Sequence, residues 1–206
     1  GTDLRSQLRR RYGITAVALF VVTAVSLVVF AVADEPLQQP LAVAMTWVIM
    51  FFTAMTGLGR AFVSEEERGT ALFLRLQAPP LAVYGGKLIV NVLYSTLVNT
   101  AATLLVLLFV SSVTVGNWMA LLLTVQIGSF GLASVISIVS AIVAKAGTRN
   151  PLLPVLSFPL LVPLLLPGVN ARFSVGEATS DLLLMVSYSG LIMVVSLMTF
   201  EFVWTD

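Results

Sequence analysis

The chain has 206 residues, of which 58% are hydrophobic and only 10% charged, with a formal net charge of +1 and a mean hydropathy of +1.02. A water-soluble domain carries about 25% charged residues, so this chain lacks the polar surface to face water, and a lipid bilayer is the solvent that fits it. It holds neither cysteine nor histidine, which excludes disulfides, thiolate chemistry and the commonest metal ligand.

Residues 2–12 are basic, with Leu4, Leu8 and Tyr12 four apart and Arg5, Arg9, Arg10 and Arg11 around them. That spacing predicts a short amphipathic helix lying along anionic headgroups, or else a basic flank of the first span. Residues 13–33 form an uncharged run long enough to cross the hydrocarbon. The run is too long for the apolar part of a signal peptide, and no small-residue cleavage site follows it. A polar turn at 34–40 leads to a second span at 41–62, which ends in Gly57, Gly59 and Arg60. Residues 63–86 are the sizeable charged segment between spans. A third span at 87–110, a short loop, and a fourth span at 118–144 follow, then a basic loop from Lys145 to Asn150. The fifth span, 151–167, is apolar but punctuated by Pro151, Pro154, Pro159, Pro163 and Pro167. A more polar stretch at 168–180 precedes the sixth span, 181–203. The expectation is an all-α polytopic membrane protein, residues 1–206 forming one six-span domain with no internal repeat.

Charge sets the orientation. With the N-terminus inside, ten of the eleven Lys and Arg residues fall on one side, and only Arg172 on the other. This is the asymmetry that the positive-inside rule predicts for six spans with both termini cytoplasmic.

The spans are empty of chemistry. Residues 88–144 contain no acidic or basic side chain. A charge at mid-bilayer costs about 2.5–3.5 kcal/mol on insertion scales, and ion-coupled carriers keep one regardless. An internal ion-coupled engine is therefore not expected. The sequence Gly85, Gly86, Lys87 ends like a phosphate loop, but that pattern needs Gly at 81 and Ser or Thr at 88, and both are Leu. Lys87 is expected to snorkel to the interface instead. Catalytic residues, a metal site and a bound cofactor are not expected in this chain, and Met45, Met50, Met55, Met185, Met193 and Met198 read as packing.

The informative segment runs from Ser64 to Pro80. Ser64 with Glu67 fits a capping box, and Glu65 and Glu66 sit where a helix N-terminus favours negative charge. Gly69 and Thr70 permit a bend, after which Leu72, Phe73 and Leu76 share one face with Arg75 beside it, until Pro79 and Pro80 end the element. A short helix with an apolar face and charged ends suits docking into a groove on a soluble partner, or resting on the membrane. In the fourth span Gln126, Ser129, Ala133, Ser137, Ser140 and Ala144 recur at spacings of three and four. Such a small, mildly polar seam allows close helix packing or lines a path. In the third span Asn91, Ser95, Asn99 and Thr103 step by four, and the costly Asn amides must face protein or a wet cavity. Each proline inside the fifth span frees a carbonyl one turn back, so a kinked helix and a gating element are expected there, with Pro159 and Pro163 at its centre.

These residues resemble a family. The layout is similar to the six-span permeases of ABC-2-type transporters, and more specifically to the haem exporter protein B (CcmB) family of the cytochrome c maturation system. The resembling stretches are Phe62-Val-Ser-Glu-Glu-Glu-Arg-Gly-Thr-Ala-Leu72, Gly86-Lys87-Leu88, Asn150-Pro-Leu-Leu-Pro-Val-Leu-Ser-Phe-Pro-Leu-Leu-Val-Pro163 and Phe200-Glu-Phe-Val-Trp204. The acidic-Arg-Gly-Thr stretch is general to ABC-2 permeases, and the proline-rich fifth span is the more specific signal. The resemblance implies a non-catalytic permease of the bacterial inner membrane. It would dock a cytoplasmic ATPase, present in two copies, through Glu65, Glu66, Glu67, Arg68, Gly69 and Thr70 with Leu72, Phe73 and Leu76 as the docking face. It also implies a second, haem-handling membrane subunit and a periplasmic haem chaperone, with ATP used by the partner, haem as the substrate of the complex and no nucleic acid. With no His or Cys, a partner would hold the haem iron. Pairing of two copies is left open, as are a lipid, glycan or drug as cargo, a non-transporting scaffold and a passive channel.

Overall fold

In a bilayer a chain without charges must satisfy its backbone internally, and helices do so segment by segment. The computed structural model describes residues 2–31, 38–59, 79–110, 115–145, 152–170 and 178–205, and every element in it is helical. The helices are α1 (Thr2–Ala31), α2 (Gln39–Leu58), α3 (Pro80–Phe109), α4 (Trp118–Lys145), α5 (Leu152–Asn170) and α6 (Ala178–Thr205). Helices α2 to α6 are each long and apolar enough to cross a membrane, and α1 adds a 17-residue apolar stretch, Thr15–Ala31. The chain is an all-α, multi-pass membrane protein.

Local chemistry explains the boundaries. The amphipathic stretch at 2–12 is helical but not a separate element: α1 runs from Thr2 to Ala31 without a break. No proline interrupts it, and Gly13 alone costs a helix only about 1 kcal/mol. Pro79 and Pro80 open α3, while the element expected before them lies outside the described residues. Pro79 sits extended at the N-cap (φ −63°, ψ 146°) and Pro80 takes the first turn, where its fixed φ suits a helix and its missing N–H is not needed. Residues 80–86, expected in the segment between spans, therefore form the first turns of α3. Asn117 caps α4, its Oδ1 accepting the backbone N–H groups of Met119 (3.0 Å) and Ala120 (3.2 Å). Helix α5 is a single helix with Pro159, Pro163 and Pro167 inside it.

Helix α4 is the centre. It packs most extensively against α6, then α3 and α5, and it also reaches α2. Leu132, Ala133, Val135 and Ile136 are successive or near-successive on α4, and all are completely buried. Helix α1 stands outside this core, laying the stripe of Val17, Val21 and Val25 against Ala42 and Ile49 of α2 and Ala102 and Val106 of α3. The outward faces are greasy: Leu93, Leu97 and Leu108 of α3 and Leu183, Leu191 and Phe202 of α6 are all more than half exposed. In water such a surface would aggregate; in a bilayer it is the lipid-facing belt.

Glycine brings the helices together at two places. The Trp47 indole of α2 lies against Gly128 of α4 and Gly168 of α5 so closely that a Cβ at either position would run into the ring. A Cβ at Gly131 would lie 2.6 Å from Leu164 Cδ2 and 2.8 Å from Ser189 Oγ. Small residues at such crossings let backbones approach, which is how helices gain packing in lipid.

Candidate functional site

The third- and fourth-span patterns turn out to face each other. Asn91 Nδ2 donates to Ser137 Oγ at 2.7 Å. Two turns away, Asn99 Nδ2 donates to Ser129 Oγ of α4 and to Ser95 Oγ of its own helix, both at 3.1 Å. Gln126 Nε2 reaches Thr100 Oγ1 at 3.3 Å, and Thr103 Oγ1 points at Met50 Sδ of α2 at 3.8 Å. The result is a ladder of neutral side chains along the α3–α4 contact. Asn91 is 6% exposed and Asn99 not at all, so both amides point into the bundle.

Apart from Tyr84 and Trp47, the buried side chains with polar groups among the described residues are Thr, Asn and Ser, all neutral. Neutral groups of this kind donate and accept hydrogen bonds without changing charge at neutral pH. No group of three or more His, Cys, Asp or Glu comes together among the described residues.

Pro159 and Pro163 are both exposed on α5, whereas Pro167 is buried. Helix α5 packs on α4, α6 and α2, so the structure does not bring the proline pair to the asparagine pair. Tyr188 of α6 ties α5 to α6, its hydroxyl donating to the Leu160 carbonyl.

The nine residues expected to dock a partner, Glu65, Glu66, Glu67, Arg68, Gly69, Thr70, Leu72, Phe73 and Leu76, lie outside the described residues. The bundle does define where that segment joins it. Helix α2 ends at Leu58 and α3 begins at Pro80, and Gly57 of α2 packs directly on Tyr94 of α3, so the two helices run antiparallel with the joining segment at one end. Lys145, in the last turn of α4, is at that end, where its charge complements the helix dipole. Asp181 stands in the first turn of α6 at the other. Two contacts at the joining end carry no sequence signal. The Ser140 hydroxyl of α4 donates to the Gly59 carbonyl at 3.1 Å, and the Tyr84 and Phe200 rings meet at 4.7 Å between centroids. Ser140 belongs to the small seam of α4 and Gly59 to the end of the second span, but nothing in either pattern pairs them.

Fold and ladder define a class: a polytopic all-helical membrane protein whose interior is held by neutral hydrogen bonds and close-packed small residues. The particular family follows from comparison of the whole chain. Residues 1–205 match the family described as CcmB protein, and the chain belongs to the CcmB family, the haem exporter family of cytochrome c biogenesis. Comparison with curated proteins and with solved structures gave no match.

Proposed function

We propose that this chain is the permease subunit of an ATP-driven haem-exporter complex in the bacterial inner membrane, with both termini cytoplasmic. A separate cytoplasmic ATPase, in two copies, docks on Glu65 to Thr70 and on the apolar face of Leu72, Phe73 and Leu76. Haem is the substrate of the complex. A second membrane subunit supplies the iron ligands, because this chain has no His or Cys to offer, and a periplasmic haem chaperone receives the product.

Beside the family membership, one observation carries the reading. The described bundle interior holds only neutral polar groups, while ten of the eleven Lys and Arg fall, in sequence, at the end where the α2–α3 segment joins. Ion-coupled carriers usually keep an ionisable side chain within their spans and the described interior buries none, which supports work entering from outside, at the charged end. Within the bundle, the α3–α4 ladder is the path in this reading. Asn91 and Asn99 would exchange Ser137 and Ser129 for water or cargo, and Pro159 and Pro163 would let α5 bend. Two copies of the chain would match two copies of the ATPase.

Charge reversal tests the docking assignment. Glu66→Arg combined with Arg68→Glu is expected to lower both the ATPase that co-purifies and the stimulated ATP hydrolysis, with thermal unfolding of the bundle unchanged. Undiminished co-purification and hydrolysis would overturn it. Loss of c-type cytochromes on deletion distinguishes haem from a lipid, glycan or drug. Haem flux in reconstituted vesicles separates export from ATP-driven release of the haem chaperone.

A further inference from the structure

The connection between α2 and α3 has two roots in the bundle, and each is fastened to a helix other than the two it joins. At the first root, Gly59 ends α2 in right-handed conformation (φ −59°, ψ −16°), its N–H bonded to the Met55 carbonyl. The last carbonyls of a helix have no partner within it, and here the Gly59 carbonyl is taken by the buried Ser140 hydroxyl of α4 at 3.1 Å. A Cβ on Gly59 would stand 2.6 Å from the Met55 carbonyl and 3.2 Å from Leu153 Cδ2 of α5. The backbone is thus held against two neighbouring helices with no room for a side chain. At the second root, Tyr84 lies in the second turn of α3 and is fully buried. Its ring meets that of Phe200, equally buried on α6, at 4.7 Å and an angle of 37°.

We propose that Ser140 and the Tyr84–Phe200 pair are coupling anchors. They are positioning residues that pass a displacement of the α2–α3 connection into α4 and α6, the two helices that share the most extensive contact in the bundle. This inference rests on the ATPase-docking reading. A connection fixed only to α2 and α3 would tilt those helices at their own ends. One fixed also to α4 and α6 moves the central helix together with the helix packed most extensively on it. The two contacts differ in kind, and the difference matters. A hydroxyl–carbonyl bond is directional and weakens steeply as its angle departs from linear, so it resists rotation of the last turn of α2. A pair of buried rings in contact resists separation through its packing and fixes no direction as a hydrogen bond does. Together they allow the connection to pull and turn the core without slipping on it.

The experiment uses the intact complex with four single variants, each normalised to the amount of folded complex: Ser140→Ala, Ser140→Thr, Tyr84→Leu and Tyr84→Phe. Three quantities are read: ATPase retained, ATP hydrolysed, and c-type cytochrome formed per ATP. Ser140→Ala and Tyr84→Leu are expected to retain the ATPase and its hydrolysis while cytochrome formed per ATP falls about fivefold or more, with Ser140→Thr and Tyr84→Phe recovering to within about twofold of the unmutated chain. A purely structural role predicts fewer folded complexes with an unchanged yield per ATP, and that result overturns the proposal. So does loss of ATPase binding in Ser140→Ala or Tyr84→Leu, or conservative variants as damaged as the disruptive ones. Should either disruptive variant fail to fold, the other carries the test. Failure of the docking reading itself is visible separately, in an unmutated chain that retains no ATPase, and takes the anchors with it.

Discussion

Helices α4 and α6 are each 28 residues long, and their most apolar windows have the same mean hydropathy of 2.1. Yet 78% of that window is buried in α4 and 17% in α6. Hydropathy decides whether a helix enters the membrane; it does not decide whether the helix stands at the centre or the rim. Side-chain volume does. Helix α4 carries Gly128, Ser129, Gly131, Ala133, Ser137 and Ala141 along its length, and their small size lets neighbours crowd it on all sides. Helix α6 carries Leu183, Leu184, Leu191, Met198 and Phe202 outward. It buries only one stripe, Met185, Ser189, Ile192, Ser196 and Phe200, whose spacing of three and four is that of a single helix face. Lipid tails are as apolar as leucine, so helices in a membrane are sorted by packing rather than by greasiness.

The largest expected effect comes from the same deletion made on each helix. Leu132 of α4 is fully buried, and Leu184 of α6 is 60% exposed. Leu132→Ala leaves a void in close packing and is expected to destabilise the bundle by about 2–5 kcal/mol. Leu184→Ala removes atoms that face lipid or detergent, for a change within about 0.5 kcal/mol. Unfolding of the purified protein in detergent measures both. Equal losses would mean that α6 is covered in the folded bundle.

The next contrast adds volume instead of removing it. Gly128→Ala on α4 and Gly168→Ala on α5 each drive a methyl into the Trp47 ring, and overpacking of this kind costs about 1–3 kcal/mol. At Gly190 of α6 a Cβ meets nothing within 4 Å. Gly190→Ala is therefore expected to be neutral, or to stabilise by up to about 1 kcal/mol through helix propensity. In a background with Trp118→Phe and Trp204→Phe, the fluorescence of Trp47 should change in the first two variants and not in the third.

These contrasts mark what could be read in the sequence. The apolar runs placed all six helices, because the requirements of lipid are strong and local. The seam of Ser129, Ser137 and Ser140 and the row of Asn91, Ser95 and Asn99 were each visible as spacing. Their mutual pairing was not, since each pattern is complete on its own helix and nothing in either names its partner. The early start of α3 at Pro80 was not read from the sequence, because a proline pair that can end one helix is equally suited to begin the next. Trp47 had no local signal at all, its two glycines lying 81 and 121 positions further along the chain (128 − 47 and 168 − 47). The charged segment around Glu65 to Leu76 is the part most legible in sequence, and it lies outside the described residues.

The smallest expected effects test whether buried polar groups on the two helices do the same work. Asn91 of α3 and Ser137 of α4 share a hydrogen bond at 2.7 Å, so Asn91→Ala strands a hydroxyl, and Ser137→Ala an amide. Measured couplings of this type in membrane bundles average about 0.6 kcal/mol and reach about 1.7. A double-mutant cycle over Asn91 and Ser137 is expected to give a coupling in that range, because each single change removes the bond and the second change then costs less. Ser189 of α6 is 2% exposed, and its hydroxyl has no hydrogen-bond partner. Ser189→Ala removes a buried group that nothing satisfies, so it is expected to be neutral or stabilising by a few tenths of a kcal/mol. The sign decides the matter. If Ser189→Ala instead destabilised by as much as Asn91→Ala, that hydroxyl would be holding a buried water against Gly131 and Leu164. The polar ladder of α4 would then extend to α6, and the difference between the central helix and the rim would be one of volume alone.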